Sequence, residues 1–301
     1  MNNIIVMNGK ELSEKLLKTQ NIVKDLNNRP PCLVVLTVGN EDASNIYVKN
    51  KRIMCEKAGI TFIHEKFSKD IDREILLNRI NELNSDNEVD GIFVQLPLPK
   101  HLNGIEQFIS FDKDVDGFTP YNLGNTFNKS EYQLNACTPS GIITLLKHYN
   151  VPLKGKHVVI LGRSNMVGKP LIGLLLNEDC TVTSCNSHTD NLKSITKSAD
   201  ILISVIGKPK YINSDYISPD CYCVIDVGIN RDTDGKICGD VDFEDIVRYW
   251  NNINTTSTKY ITPVPNGVGP MTVYSLVQNV LLAYERKSKK WNRLKNLFHF
   301  W

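Results

Sequence analysis

The chain has no C-x-x-C pair among its eight cysteines, so neither a zinc ribbon nor a dithiol redox motif is expected. No apolar run reaches the ~18 residues of a membrane-spanning helix. The start, Met1-Asn2-Asn3-Ile4-Ile5-Val6, lacks the basic and apolar regions of a secretory signal, and no Arg/Ser-rich transit stretch is expected ahead of the first structured-looking residues. Charge of one sign is missing too. A net charge of +2 over 301 residues is too small to argue for nucleic acid as partner. Internal repeats and long low-complexity segments are absent. These absences leave a cytoplasmic chain with reduced cysteines, several of them in apolar strand-like runs where a thiol serves as a small core residue.

What is present is an alternation of apolar strand-like runs with helix-like periods, which predicts an α/β fold with parallel sheets. Cys32–Val38 reads as a strand, followed by a helix over 43–58 that Asp42 or Ser44 caps and Gly59 stops. A strand over 61–66, a helix over 72–83 and a buried strand from Gly91 to Leu96 complete half of a small domain. After a helix over 140–148, the strand Lys156–Leu161 restarts a nucleotide-binding alternation. It continues with a helix over 170–177, a strand over 180–185, a helix over 191–198, and strands over 201–206 and 223–227. The expected division is a catalytic domain over 1–140, completed by a helix over 272–290, and a Rossmann-like domain over 141–271. A basic amphipathic tail follows over 287–301, with Trp291, Leu294, Leu297, Phe298 and Trp301 on one stripe. It either docks on its own subunit or meets a membrane surface or partner.

Several polar groups stand where ligands bind or where turns are made, and spacing alone leaves both readings open. Ser44, Tyr47 and Lys51 share one helical face, either a solvated face or a pocket wall with a stacking ring and a lysine base. Gln95 interrupts an apolar strand near its carboxyl end, as a ligand contact or a satisfied core amide. Asp114 and Asp116 precede Gly117, either fixing a turn or offering a carboxylate to an amino-pyrimidine edge. Gly162-Arg-Ser-Asn-Met-Val-Gly168 joins a strand to a helix, the context of a phosphate loop without the G-x-G-x-x-G spacing. The strand over 180–185 ends without an acid for a ribose hydroxyl, and nearby hydroxyls and Arg163 favour NADP over NAD. His188 is a ligand contact or a surface residue. Cys137 has no neighbour marking it as a nucleophile. The segment from Pro263 to Thr272 is a stiff Pro/Gly loop, a lid or a connector.

Taken in order, a set of stretches resembles the bifunctional methylenetetrahydrofolate dehydrogenase/cyclohydrolase family. They are Tyr47-Val48 with Lys51, Val94 to Pro99, Lys113 to Gly117, Cys137-Thr-Pro139, Gly162-Arg-Ser164, Asp226 to Asn230, Gly239 to Phe243, and Thr262 to Thr272. Each is weak alone; the ordered set, over residues 5 to 285, is specific. The resemblance implies two α/β domains around a cleft, a homodimer, tetrahydrofolate substrates and NADP. It makes Lys51 the catalytic lysine, Gln95 its hydrogen-bonding partner, Tyr47 the residue packing on the folate ring, and Asp116 the pterin carboxylate. Val94, Leu96, Pro265, Asn266, Gly267, Val268 and Gly269 join Tyr47, Lys51, Gln95 and Asp116 as substrate contacts. Gly162, Arg163, Ser164, Ser187 and Ile229 become cofactor contacts. Departures from the family pattern are Asn266 for a Gly, Asn186 for a frequent His, Ala136 for a Pro, a longer stretch over 245–259, and the tail. Asn tolerates positive φ, so the turn at 266 is expected to survive. The alternatives are a monofunctional dehydrogenase, a folate- or nucleotide-binding protein without catalysis, and a different dehydrogenase of the same fold.

Overall fold

The apolar runs become two parallel sheets, each in its own unit of the chain. The computed structural model describes residues 3–19, 29–39, 42–129 and 133–298, with the backbone path alone for 42–47 and 288–298. One unit comprises Leu17–Cys137 and the chain from Val273; the other comprises Met1–Leu16 and Thr138–Thr272. In chain order the elements are β1 (Ile4–Val6), α1 (Gly9–Thr19), β2 (Cys32–Val38), α2 (Asp42–Lys57), β3 (Thr61–Phe67), α3 (Arg73–Ser85) and β4 (Gly91–Val94). Next come α4 (Pro120–Asn128), α5 (Cys137–His148), β5 (His157–Leu161), α6 (Gly168–Asn177), β6 (Thr181–Cys185), α7 (Leu192–Lys197), β7 (Ile201–Ser204) and β8 (Cys223–Asp226). The chain continues through β9 (Asn230–Arg231), β10 (Ile237–Cys238), α8 (Phe243–Asn252), β11 (Lys259–Ile261) and α9 (Val268–Phe298).

The smaller sheet has the order β3-β2-β4, all parallel. Its central strand β2 is buried along nearly its whole length, which explains its unbroken apolar sequence. Helix α3 starts where the Asp72 carboxylate accepts the Glu74 N–H at 2.7 Å, and it buries Leu76, Ile80 and Leu83 at helical spacing. Its carboxyl end is closed by a buried cation: Lys113 Nζ donates to the Leu83 and Asp86 carbonyls at 2.7 and 2.6 Å. Gly91 is small for a local reason, since a Cβ there would stand 2.7 Å from Val115 Cγ1. From α9, the Asn279 side-chain amide donates to the Val115 and Asn135 carbonyls, both at 2.8 Å, and so ties together the segments leading to Asp116 and Cys137.

The larger sheet is parallel throughout, in the order β1-β11-β8-β7-β5-β6. Strand β5 has β6 on one side and β7 on the other. The chain therefore reverses its direction of winding at β5, the switch point at which doubly wound sheets bind nucleotides. One expected boundary is corrected here. Residues 1–16 were assigned to the first domain, but β1 adds to the larger sheet beside β11, pairing Ile4 with Lys259 and Val6 with Ile261. A three-residue strand at the chain start and another just before a Pro-rich loop are too short for periodicity to reveal. In the tail, α9 is one helix through Phe298, so the backbone up to there continues the preceding helix. The side chains of its apolar stripe lie outside the described residues. All eight cysteines are buried and unpaired. Among the described residues no helix is long and apolar enough to cross a membrane.

Candidate functional site

Alternation along β4 decides which side chains of the Gly91–Leu96 run face the core. Ile92 and Val94 enter the apolar cluster with Leu76, Ile80 and Leu102. Phe93, and Gln95 just past the strand, point the other way. Lys51, from the last turns of α2, meets both of them. Its Nζ donates to Gln95 Oε1 at 2.9 Å and lies 3.5 Å from the centre of the Phe93 ring. Lys51 is 7% exposed, so a solvated helical face is excluded for it. Burial lowers its pKa from 10.5 to about 8, against an opposing pull from Asp116. The two readings of Gln95 merge: its amide nitrogen donates to the Leu96 carbonyl at 2.6 Å, and its oxygen accepts from the Lys51 ammonium. The Tyr47 and Ser44 side chains, and the alternative caps of α2, fall outside the described residues.

The two aspartates divide the two readings between them. Asp114 accepts from Gly117 N at 3.0 Å, Thr119 N at 2.7 Å and Asn122 Nδ2 at 2.9 Å. It makes the turn that ends at Gly117, whose φ is +75°. The Asp116 backbone is part of that turn, but its carboxylate makes none of these hydrogen bonds. It is partly buried among Lys51, Asp114 and Cys137; burial pushes its carboxyl up, Lys51 opposes and Asp114 reinforces. The Cys137 thiol, at the start of α5, donates to the Val115 carbonyl at 3.2 Å, and burial beside Asp116 drives it well above the ordinary thiol range. A thiol held neutral is a poor nucleophile. Lys51, Gln95, Asp116, Phe93 and Cys137 thus gather at one place in this unit. Sequence reasoning missed Phe93, although its position two residues before Gln95, on the same side of the chain, carried the signal.

In the larger unit the expected cofactor residues stand at the carboxyl ends of the strands around β5. Gly162 has φ +115°, and a Cβ on it would approach the Val205 carbonyl oxygen to 2.5 Å. A Cβ on Gly168 would come within 2.4 Å of the Gly162 oxygen, so strand, turn and helix are drawn together at two glycines. Ser164 Oγ accepts from Val167 N and Gly168 N at 3.2 and 3.3 Å, engaging the first N–H groups of α6. A phosphate here would meet the rest of the turn rather than a bare helix end. Arg163, Ser164 and Ser187 are exposed, as is Ile229 beyond β8 at 52%. A short turn presents Ser187: Asn186 N donates to Thr189 Oγ1 at 2.9 Å, and His188 N to Asn186 Oδ1 at 3.0 Å.

The loops after β7 and β8 are fastened by a carboxylate that sequence reasoning did not single out. Asp240 is fully buried and accepts from Ser204 Oγ, Ile206 N, Lys208 N and Asn230 Nδ2 at 2.8 to 3.0 Å. Asp226 in turn accepts from the Gly228, Asp240 and Val241 N–H groups at 2.8 to 3.0 Å. The stretch from Pro263 to Thr272 lies in this unit as well, but it is loop only as far as Gly267, because α9 already begins at Val268, earlier than the helix expected from 272. Asn266 adopts φ +80°, as expected of the residue standing in place of a glycine. Lys10 N donates to the Asn266 carbonyl at 3.1 Å, and a Cβ on Gly9 would fall 2.0 Å from the Gly267 oxygen. The start of α1 is therefore fitted against the loop.

Residues 7–116 match the catalytic-domain model, and residues 136–288 the NAD(P)-binding-domain model, of tetrahydrofolate dehydrogenase/cyclohydrolase. The chain is 46% identical over 291 residues to the bifunctional protein FolD of Aquifex aeolicus, covering 94% of this chain and 96% of that protein. Among solved structures, the bifunctional FolD of Campylobacter jejuni matches with a TM-score of 0.86 at 40% identity, covering 94% of this chain and 99% of that one. The FolD of Trypanosoma brucei, solved with NADP cofactor and inhibitor, matches at 0.84 with 31% identity, over 95% of this chain and 99% of that one.

Proposed function

This chain belongs to the tetrahydrofolate dehydrogenase/cyclohydrolase family, and from that membership and the surroundings of Lys51 we propose a two-step activity. It oxidises 5,10-methylenetetrahydrofolate to 5,10-methenyltetrahydrofolate with NADP⁺, then hydrolyses the methenyl cation to 10-formyltetrahydrofolate. The observation that carries the second step is the buried Lys51 amine, lowered in pKa and held by Gln95. A lysine so placed is neutral often enough near neutral pH to act as a base. As water adds to the carbon bridging N5 and N10, Lys51 takes a proton. The bond from that carbon to N5 then breaks, N5 receives a proton, and one proton leaves to solvent. Asp116, whose carboxylate the turn does not use, is assigned to the pterin edge, and Tyr47 to the folate ring. Val94, Leu96 and the loop from Pro265 through Asn266, Gly267 and Val268 to Gly269 are assigned to substrate contact.

The first step needs alignment more than acid or base strength, because the product cation is delocalised. NADP⁺ supplies the hydride acceptor. The residues of the larger unit fit such a cofactor. Gly162 and the following turn allow close backbone approach, Arg163 and Ser187 offer a cation and a hydroxyl to a 2′-phosphate, and Ile229 gives an apolar contact. No acid stands at the end of β6 to favour a free ribose hydroxyl. A cytoplasmic homodimer supplying one-carbon units, including for purine synthesis, is the setting this reading carries, and sedimentation at twice the chain mass is expected. The test is a pair of absorbance assays on purified protein. Methylenetetrahydrofolate should be oxidised faster with NADP⁺ than with NAD⁺, and methenyltetrahydrofolate should be hydrolysed. Oxidation without hydrolysis would reduce the proposal to a monofunctional dehydrogenase, and inactivity in both would refute it.

A further inference from the structure

We propose that Phe93 is a positioning residue: its ring face receives the Lys51 ammonium and, together with the Gln95 carboxamide, fixes where that nitrogen stands and favours its charged form. The functional consequence rests on Lys51 being the hydrolytic base; the contact itself does not. Two residues apart on the same side of β4, Phe93 and Gln95 are presented to α2 as a pair. The Lys51 nitrogen lies 3.5 Å from the ring centre, well inside the ~6 Å at which a cation is attracted by an aromatic face. Both residues are nearly buried, at 5% and 7% exposure, so little water screens the contact.

The other groups facing Lys51 are Asp116 from the turn before Gly117, Cys137 from α5 and Cys55 from α2 itself. Each would support a cation when ionised, but each titrates. Burial pushes both thiols and the Asp116 carboxyl upward, toward their neutral forms. Phe93 and Gln95 do not titrate. Their support stays constant across the working pH range, whereas that of Asp116 changes with pH and with whatever binds it. The ring thereby keeps a desolvated lysine charged and seated in the resting site, without binding it so tightly that it cannot release its proton.

Two replacements test this on the full chain. Phe93→Leu removes the ring. Pentafluorophenylalanine incorporated at position 93 keeps the ring's shape and reverses the sign of its face, so packing and electrostatics are separated. The titration of Lys51 is followed directly by the ¹³Cε resonance, with Lys51→Met identifying the signal. The acid limb of methenyltetrahydrofolate hydrolysis is measured beside it. The midpoint of Lys51 is expected to fall by about 1 pH unit in both replacements. The hydrolysis limb is expected to move with it. An unchanged midpoint in the fluorinated protein overturns the proposal, even if Phe93→Leu shifts it, because packing alone would then be at work. A midpoint that moves while the hydrolysis limb stays fixed supports the role of Phe93 and refutes Lys51 as the base.

Discussion

Lys51→Met is expected to abolish hydrolysis and make the protein more stable. The wild-type site keeps an amine in a place that disfavours its charge: burial lowers its pKa from 10.5 to about 8. An unfolded chain therefore binds more protons than the folded one between those two values, and stability rises with pH across that window. Below about pH 8 the full penalty applies, on the order of 3 kcal/mol. Methionine matches the lysine stem in length and carries no charge, so at pH 7 most of that penalty is relieved. Asp116, which loses the cation opposing its upward shift, takes up a proton instead of standing as a lone buried anion. Urea unfolding at pH 7 should show a higher midpoint for Lys51→Met, and the gain should shrink from pH 8 upward and vanish near 10.5. Hydrolysis of methenyltetrahydrofolate, followed by its absorbance, should fall by about 10²-fold or more. A destabilised variant would show that the ammonium is a net stabilising contact. Near-normal hydrolysis would remove Lys51 from the chemistry.

Three further outcomes are expected. Arg163→Ala should weaken NADP⁺ binding by about 10- to 100-fold, the worth of a charge-assisted contact, and NAD⁺ binding far less; equal losses would mean that Arg163 does not meet the 2′-phosphate. Asn266→Gly should leave stability within a few tenths of a kcal/mol, whereas Asn266→Val should cost about 1–3 kcal/mol, because a β-branched residue is strained at positive φ; chemical unfolding of the two variants checks this. Asp240→Asn places an amide among the four donors that its carboxylate accepts, so the loops after β7 and β8 should loosen. NADP⁺ affinity measured by fluorescence titration should fall at least tenfold while hydrolysis stays within about twofold; unchanged affinity would separate the Asp240 network from cofactor binding.

Long periodic or strongly apolar segments were legible before the structure: β2, α3 and β5 fall within two residues of their sequence-based limits. The short strands β1 and β11 were not, because three residues cannot show a period, and with them went the assignment of the first 16 residues. Helix α4 was also hidden. It begins at a Thr119 cap with Pro120 in the first turn, a legitimate start signal, but Gly124 and three asparagines mask its helical pattern. At the candidate site, it was the family resemblance that paired Lys51 with Gln95, 44 residues apart; the parallel pairing of β2 with β4 is part of what brings Gln95 near the helix that follows β2. The Asp240 network was illegible in principle. Its four donors come from residues 10 to 36 positions away, and two of them, Ile206 and Lys208, belong to a loop without periodic signal.

The contrast between Asp114 and Asp116 shows what sequence spacing cannot decide. Alternation would place both carboxylates on one side of an extended segment, and by that criterion they are equivalent. The chain is not extended there. Asp114 pairs briefly with Ile92 beside β4, then accepts three hydrogen bonds that pull Gly117, Thr119 and Asn122 around it. Once those three bonds are made, the Asp114 carboxylate is committed to holding the turn. The same turn carries Asp116 round to Lys51 and Cys137, where no comparable set of donors compensates its burial. A buried carboxyl with the Cys137 thiol in place of such a set of donors is costly to ionise, and a bound substrate with an amino-pyrimidine edge would relieve that cost. The structural aspartate is thus what makes the chemical one available, and the two roles are separated by hydrogen-bond supply rather than by residue type.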